Sequence, residues 1–171
     1  MTRLSLIIIL VLGLGSCNNL DSGKSDSGQT NKNATIKPFE FIVINSDYSS
    51  AYAIGYKLTE KELSIVFHGG LVGDKDSIIF RRALQTSDTL LQLSNIDVKN
   101  LKEDYTNPCV CDGSQISVAF KKDNIEKYIH LSNYYEENIG KAIELINSLS
   151  PPKYKIWYDK KELLEEMTRC K

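Results

Sequence analysis

Apolar and polar positions along this chain change regime three times. Residues 4–15 (LSLIIILVLGLG) carry no charge and sit between Arg3 and the pair Ser16-Cys17. Residues 18–37 are almost wholly polar, with Leu20 and Ile36 the only large apolar side chains. From Pro38 a period of two takes over. Phe39, Phe41 and Val43 alternate with Glu40 and Ile42 and predict a first strand ending near Asn45. Residues 51–57 set Tyr52, Ile54 and Tyr56 on one face and Ala51, Ala53 and Gly55 on the other. Leu63, Ile65 and Phe67 repeat the alternation after the polar TEKE, so residues 51–68 predict a hairpin. HGGLVGDKDS reads as a loop, residues 78–84 as a further strand, and residues 95–104 as a short helix.

In the second half Ile116, Val118 and Phe120 alternate, the turn KKDN follows, and residues 126–131 return as a second hairpin. The period then lengthens. Ile139, Ala142, Ile143, Ile146 and Leu149 recur at helical spacing, Asn133 and Glu136 have the spacing of a capping box, and Pro151-Pro152 closes the segment. Residues 153–158 (KYKIWY) predict a last short strand. Asp159 and Glu162 open a terminal helix with Leu163, Met167 and Cys170 on its apolar side. Hairpins followed by helices predict an α+β fold: a single domain with a mostly antiparallel sheet, one amphipathic helix and a C-terminal helix.

The amino-terminal run is too short to span a bilayer. At about 1.5 Å per residue it reaches roughly 18 Å, against a hydrocarbon core of ~30 Å. Its length and the preceding arginine fit the apolar region of a secretory signal. Leu14-Gly15-Ser16-Cys17 resembles the lipobox of bacterial lipoproteins: an aliphatic residue, two small residues, then cysteine. Small residues admit an extended backbone to the signal peptidase, and the cysteine sulfur receives a diacylglyceryl group. The resemblance implies cleavage before Cys17, a thioether-linked lipid there, and acylation of the new amino group by a chain such as palmitate. Several acyl chains exceed what stable anchoring needs. Asn18 stands where inner-membrane lipoproteins of many Gram-negative bacteria carry Asp, so the resemblance points to the cell envelope, at the outer membrane and facing the periplasm. The chain is thus expected to divide into a signal peptide, 1–16, a lipidated flexible tether, 17–37, and a globular domain, 38–171. The tether holds too little apolar surface to offset its chain entropy.

A length of 171 residues suits one domain with a real core. Lys plus Arg number 21 and Asp plus Glu 22, so no basic excess argues for a nucleic-acid partner. Loss of Arg3 with the signal lowers the basic count from 21 to 20 against 22 acidic side chains, a balance of −2.

The cysteines are the first candidates for chemistry. With Cys17 lipidated, Cys109, Cys111 and Cys170 remain in an oxidising compartment, enough for one disulfide and one leftover thiol. In an extended strand Cys109 and Cys111 would point to opposite faces; the following Asp112-Gly113 suggests a turn, where they could bond. A bridge from either to Cys170 is the alternative. C-x-C lacks the C-x-x-C helix geometry that activates redox thiols. His68 and His130 with the cysteines lack zinc-site spacing, so neither metal nor cofactor is expected. His68-Gly69-Gly70 has no G-x-S-x-G to serve, residues 70–75 miss the P-loop pattern, and a calcium loop starting at Asp74 would end on Gln85 rather than Glu. His130 is expected to face Lys127 or Asp123 as an ordinary strand histidine. The paired carboxylates Glu60/Glu62, Glu136/Glu137 and Glu165/Glu166 read as solvated charge.

Tyr52, Tyr56, Tyr134, Tyr135, Trp157 and Tyr158 could line a binding surface, although filling the core is the commoner fate of such rings. No catalytic residue is predicted. The layout of CVCDG, hairpin and NYYEENIGKAIELIN resembles in outline small envelope lipoproteins and some toxin-immunity proteins. The small single domain, the lipid anchor with its long spacer and the missing catalytic set make the expected function a membrane-anchored, non-catalytic protein-binding module of immunity or inhibitor type. The alternative is a structural or assembly lipoprotein of an envelope complex; a hydrolase would need a site that no motif marks.

Overall fold

The computed structural model describes residues 35–46, 52–70 and 73–169, all within the unit Asn33–Lys171. The signal and most of the tether, Cys17 included, lie outside the described residues, as does Cys170. Among the described residues seven strands form one sheet: β1 Phe39–Ser46, β2 Tyr52–Thr59, β3 Glu62–Gly69, β4 Ser77–Ala83, β5 Asp104–Thr106, β6 Gln115–Lys122 and β7 Ile125–Ser132. Their order is β4-β3-β2-β1-β6-β7-β5, and only β5 runs parallel to its neighbour, β7. The helices are α1 Asp88–Ser94, α2 Glu137–Leu149 and α3 Lys160–Arg169. The domain is α+β with a largely antiparallel sheet, as the alternation of the chain predicts.

The turns explain the two hairpins. Between β2 and β3, Thr59 Oγ1 accepts from Lys61 N (3.2 Å) and Glu62 N (3.0 Å), closing TEKE tightly. Between β6 and β7, Asp123 (φ 50) and Asn124 (φ 63) both take the left-handed conformation. A two-residue turn with that geometry matches strand twist, and Asp and Asn tolerate it well.

One face of the sheet is the core. Ile65, Tyr56, Val43, Val118 and Ile129 form one buried cross-strand row, and Leu63, Leu58, Phe41 and Phe120 the next. Phe41 and Phe120 meet edge to face, 5.4 Å between centroids. Helix α2 lays Ile139, Ala142, Ile143 and Ile146 on these rows. Two lysines on this face reach the carbonyls of the connector after α1: Lys122 Nζ donates to Ile96 O (2.7 Å) and Lys127 Nζ to Lys99 O (2.9 Å). Paired in this way, Lys122 is tolerated at 8% exposure.

Four local expectations change. Helical structure precedes residues 95–104: α1 starts at Asp88, where Ser87 Oγ accepts from Leu90 N (3.3 Å), and 95–104 holds only a 3₁₀ turn, Val98–Asn100, and the start of β5. The cap of α2 is Glu136, whose carboxylate accepts from Ile139 N (2.8 Å), and not Asn133. Asn133 is buried at φ 49, and its Nδ2 donates to Val110 O and Asp112 O. β3 continues through His68 and Gly69 before the loop begins.

Residues 155–158 are not a strand. Lys155 and Trp157 face water while Ile156 and Tyr158 are buried, yet no described strand pairs with them. In place of a neighbouring strand, the Asn147 side chain takes both backbone groups of Ile156. Nδ2 donates to Ile156 O (2.8 Å), and Oδ1 accepts from Ile156 N (2.7 Å). Tyr158 Oη donates to Tyr134 O (2.9 Å) and accepts from Glu136 N (3.0 Å), and its ring stacks on Tyr135 at 5.4 Å. Alternation here reports an extended backbone packed on a helix.

Candidate functional site

The second face of the sheet has no helix over it among the described residues; the buried positions of α1, α2 and α3 all belong to the core on the other side. Register places the side chains of this open face in rows. One row runs Asp104, His130, Ser117, Ile44, Gly55, Val66 and Ile78, across all seven strands from β5 to β4. The next runs Tyr128, Ala119, Ile42, Lys57, Ser64 and Arg81, and the one beyond it Glu126, Lys121, Glu40, Thr59, Glu62 and Ala83.

These rows differ in chemistry. The outer one is ionic, with Glu40 bridged to Lys57 of the next row (2.5 Å) and Glu62 3.6 Å from Arg81. The inner ones hold Ile42, Ile44, Gly55, Val66 and Ala119 near the middle of the sheet, and they leave Ile44 45%, Ile78 53% and Tyr128 69% exposed. A shallow groove of about 430 Å³ opens there, lined by Ile44, Ser117, Ala119, Tyr128, His130 and Glu103. Tyr128 Oη donates to Glu126 (3.2 Å), and that carboxylate raises the phenol above its usual range.

Both histidines stand on this face. His130 is flanked by Ser117 and Asp104, not by Lys127 or Asp123. His68 lies across β2 where Gly55 leaves room: a Cβ on Gly55 would fall 2.5 Å from its Nε2. Its Nδ1 sits 2.9 Å from Asp76 Oδ2 at the approach to β4. Three strands separate the histidines, about 19 Å at the usual inter-strand spacing, so they cannot act on one atom.

Ser117, His130 and Asp104 are adjacent in one row, the residue types of a nucleophile, base and orienting acid. No hydrogen bond joins their side chains among the described residues. Half of this juxtaposition was readable: a turn centred on Asp123 and Asn124 sets Ser117 opposite His130. Asp104 was not readable, because β5 is three residues long and pairs in parallel. No group of three or more His, Cys, Asp or Glu converges as a metal cluster among the described residues.

The cysteine expectations resolve in part. Residues 107–114 form an irregular loop; Cys109 is disulfide-bonded, and Cys111 is free and exposed. The two therefore do not bond to each other. The aromatic set divides: Tyr56, Tyr135 and Tyr158 are core, whereas Tyr52 and Trp157 are exposed. Tyr52 stacks on Phe67 at 5.3 Å.

What fold and face define together is a one-sided α+β sheet domain. Neither the known protein families, the curated proteins nor the solved structures include a match to this chain. No helix of the described residues is long and apolar enough to cross a membrane.

Proposed function

We propose that this chain is a bacterial lipoprotein anchored in the cell envelope through lipid on Cys17. Its folded domain binds another protein without catalysis, in the manner of an immunity or inhibitor protein, from the periplasmic side of the outer membrane. The observation that carries the binding reading is the uncovered sheet face, with exposed Ile44, Ile78 and Tyr128 beside a charged outer row. Such a face fits a folded partner with an apolar centre and a rim of mixed charge. The lipobox residues support the anchor.

Two measurements test this. Cys17→Ser should move the protein from the membrane to the soluble fraction and abolish labelling by radioactive palmitate; retention in the membrane would refute the anchor. A photo-crosslinking residue replacing Tyr128 should form a discrete protein adduct in intact cells, while one replacing the exposed Glu165 on α3 should not. Equal adducts from both positions, or none from Tyr128, would refute the binding face. Labelling of Ser117 by a fluorophosphonate, lost in His130→Ala, would replace binding with hydrolysis.

A further inference from the structure

β4 ends the sheet, and no described strand pairs with its outer edge. Leu84 N donates to Lys61 O (2.8 Å). The alternation of an antiparallel ladder then turns the backbone groups of Arg82 and Phe80 toward β3 and those of Arg81 and Ala83 outward. The strand, SIIFRRA, carries two arginines and no acid. Arg81 projects on the open face, 3.6 Å from Glu62; Arg82 projects on the helix side, where its Nη1 donates to Leu149 O (3.2 Å). Beside Arg82, between β4, α1 and α2, lies a groove of about 430 Å³ lined by Leu84, Leu90, Leu145 and Leu149.

We infer that β4 captures an extended segment of a protein partner, alternating apolar and acidic residues, by strand addition. The segment exchanges backbone hydrogen bonds with Arg81 and Ala83. Its acidic side chains fall opposite Arg81 on the open face, and an apolar side chain enters the leucine groove on the other side. The inference rests on reading the domain as a binding module and names the chemistry of the partner.

Against a second copy of this chain, two antiparallel registers of the edge oppose arginines. The antiparallel register that matches Arg81 with Ala83 of the copy sets Arg82 against its own counterpart. Sliding by two to match Arg81 with itself sets those arginines opposite instead. Like charges directly opposed destabilise a strand pair, so both of these registers are disfavoured for a second copy, whereas an acidic strand sets opposite charge against the arginines.

The test uses the full chain in detergent and three fluorescein-labelled octapeptides that alternate leucine with glutamate, lysine or serine, read by fluorescence anisotropy. The Leu/Glu peptide should bind at least ten-fold more tightly than Leu/Lys, and Arg81→Glu should reverse that order. Arg81→Pro deletes an outward N–H and leaves the bonds to β3 intact; it should abolish binding with the far-ultraviolet circular dichroism unchanged. Should that variant not fold, hydrogen exchange on the wild type decides: the peptide should slow exchange at Arg81 and Ala83 and leave Phe80 and Arg82 as they were. Equal binding of all three peptides, no binding of any, or a folded Arg81→Pro with wild-type affinity would overturn the inference. A concentration-dependent dimer that Arg81→Pro dissolves would overturn it in favour of a second copy. If the peptides fail while the Tyr128 adduct persists, strand addition falls and the binding module stands.

Discussion

Replacing Asn147 by alanine should destabilise the domain far more than its half-exposed position on α2 suggests. The amide makes two bonds, 2.8 and 2.7 Å, to the backbone of Ile156, whose side chain is 3% exposed. Each bond contributes on the order of 1 kcal/mol net, and stranding a buried N–H or C=O costs about 1–3 kcal/mol. Water can reach the groups only in part, so the loss should be about 2–4 kcal/mol. A domain of this size has about 5–15 kcal/mol in all. With an m-value of about 2 kcal/mol/M, the middle of the usual range, the urea midpoint should fall by about 1–2 M.

Asn147→Asp separates the two bonds. It keeps the acceptor for Ile156 N but sets a carboxylate oxygen against Ile156 O, so it should cost at least as much as alanine at pH 7. Hydrogen exchange at Ile156 N should then remain slower in the aspartate variant than in the alanine one. An alanine variant within about 0.5 kcal/mol of wild type would refute the clamp, since that is the scatter of ordinary surface substitutions. An aspartate variant as stable as wild type would show that the donor bond carries nothing.

Two further outcomes are expected. Burial pushes the Tyr56 hydroxyl up to about 12, with a smaller push from Tyr154, and burial likewise raises Tyr158. Above the ordinary value of 10.0 the native state then holds protons that the unfolded chain has released, so stability falls as pH rises. Between pH 10 and 12 Tyr56 alone should remove on the order of 2 kcal/mol, with no such effect below about pH 9. Urea midpoints at pH 8 and 11.5 measure this; Tyr56→Phe should flatten the decline, and an unchanged slope would rule the assignment out. Gly140→Ala should destabilise despite the better helix propensity of alanine, worth about 1 kcal/mol. Its Cβ would fall 2.4 Å from Tyr135 Oη, in a ring held by stacking on Tyr158. Overpacking costs about 1–3 kcal/mol, so thermal melting should show a Tm lowered by a few degrees, and a raised Tm would mean the ring moves freely.

Most of the sheet was legible because one face is buried and one is not, which forces a period of two on the sequence. β6 is the clearest case, with Ile116, Val118, Phe120 and Lys122 inward and Gln115, Ser117 and Lys121 outward. The same period misled at KYKIWY. Ile156 and Tyr158 alternate inward against α2, and alternation specifies an extended backbone without saying what satisfies its hydrogen bonds. α1 escaped because DTLLQLS is seven residues long, too short for a helical stripe to repeat; its one local sign was Ser87 before Asp88. The spacing makes Glu136 the partner of a cap at Asn133, whereas it is the cap itself, since Asn133 is held in the preceding loop. The open face was legible strand by strand and illegible as a surface, because rows across β5, β7, β6 and β1 depend on pairings between segments far apart in sequence.

That surface carries the remaining physical question, which is why the face exposes isoleucines at all. Seven strands at about 4.8 Å are roughly 29 Å wide, and an α-helix is about 10–12 Å across. Among the described residues one long helix, α2, and two shorter ones cover one face of such a sheet, and none lies over the other. A second face meant only for water would repeat the ionic outer row, where Glu40 pairs with Lys57 and Glu62 faces Arg81. The side chains of Ile42, Ile44, Val66 and Ala119 depart from that pattern together, at matched register on β1, β3 and β6. Lone exposed apolar residues need no explanation, but a contiguous set at the centre of a sheet does. Substituting Ile44 and Ile78 by threonine removes apolar area without touching the core, so the domain should keep its stability while the Tyr128 adduct disappears. Loss of stability instead would mean that the face is a second core, and the binding reading would lose its footing.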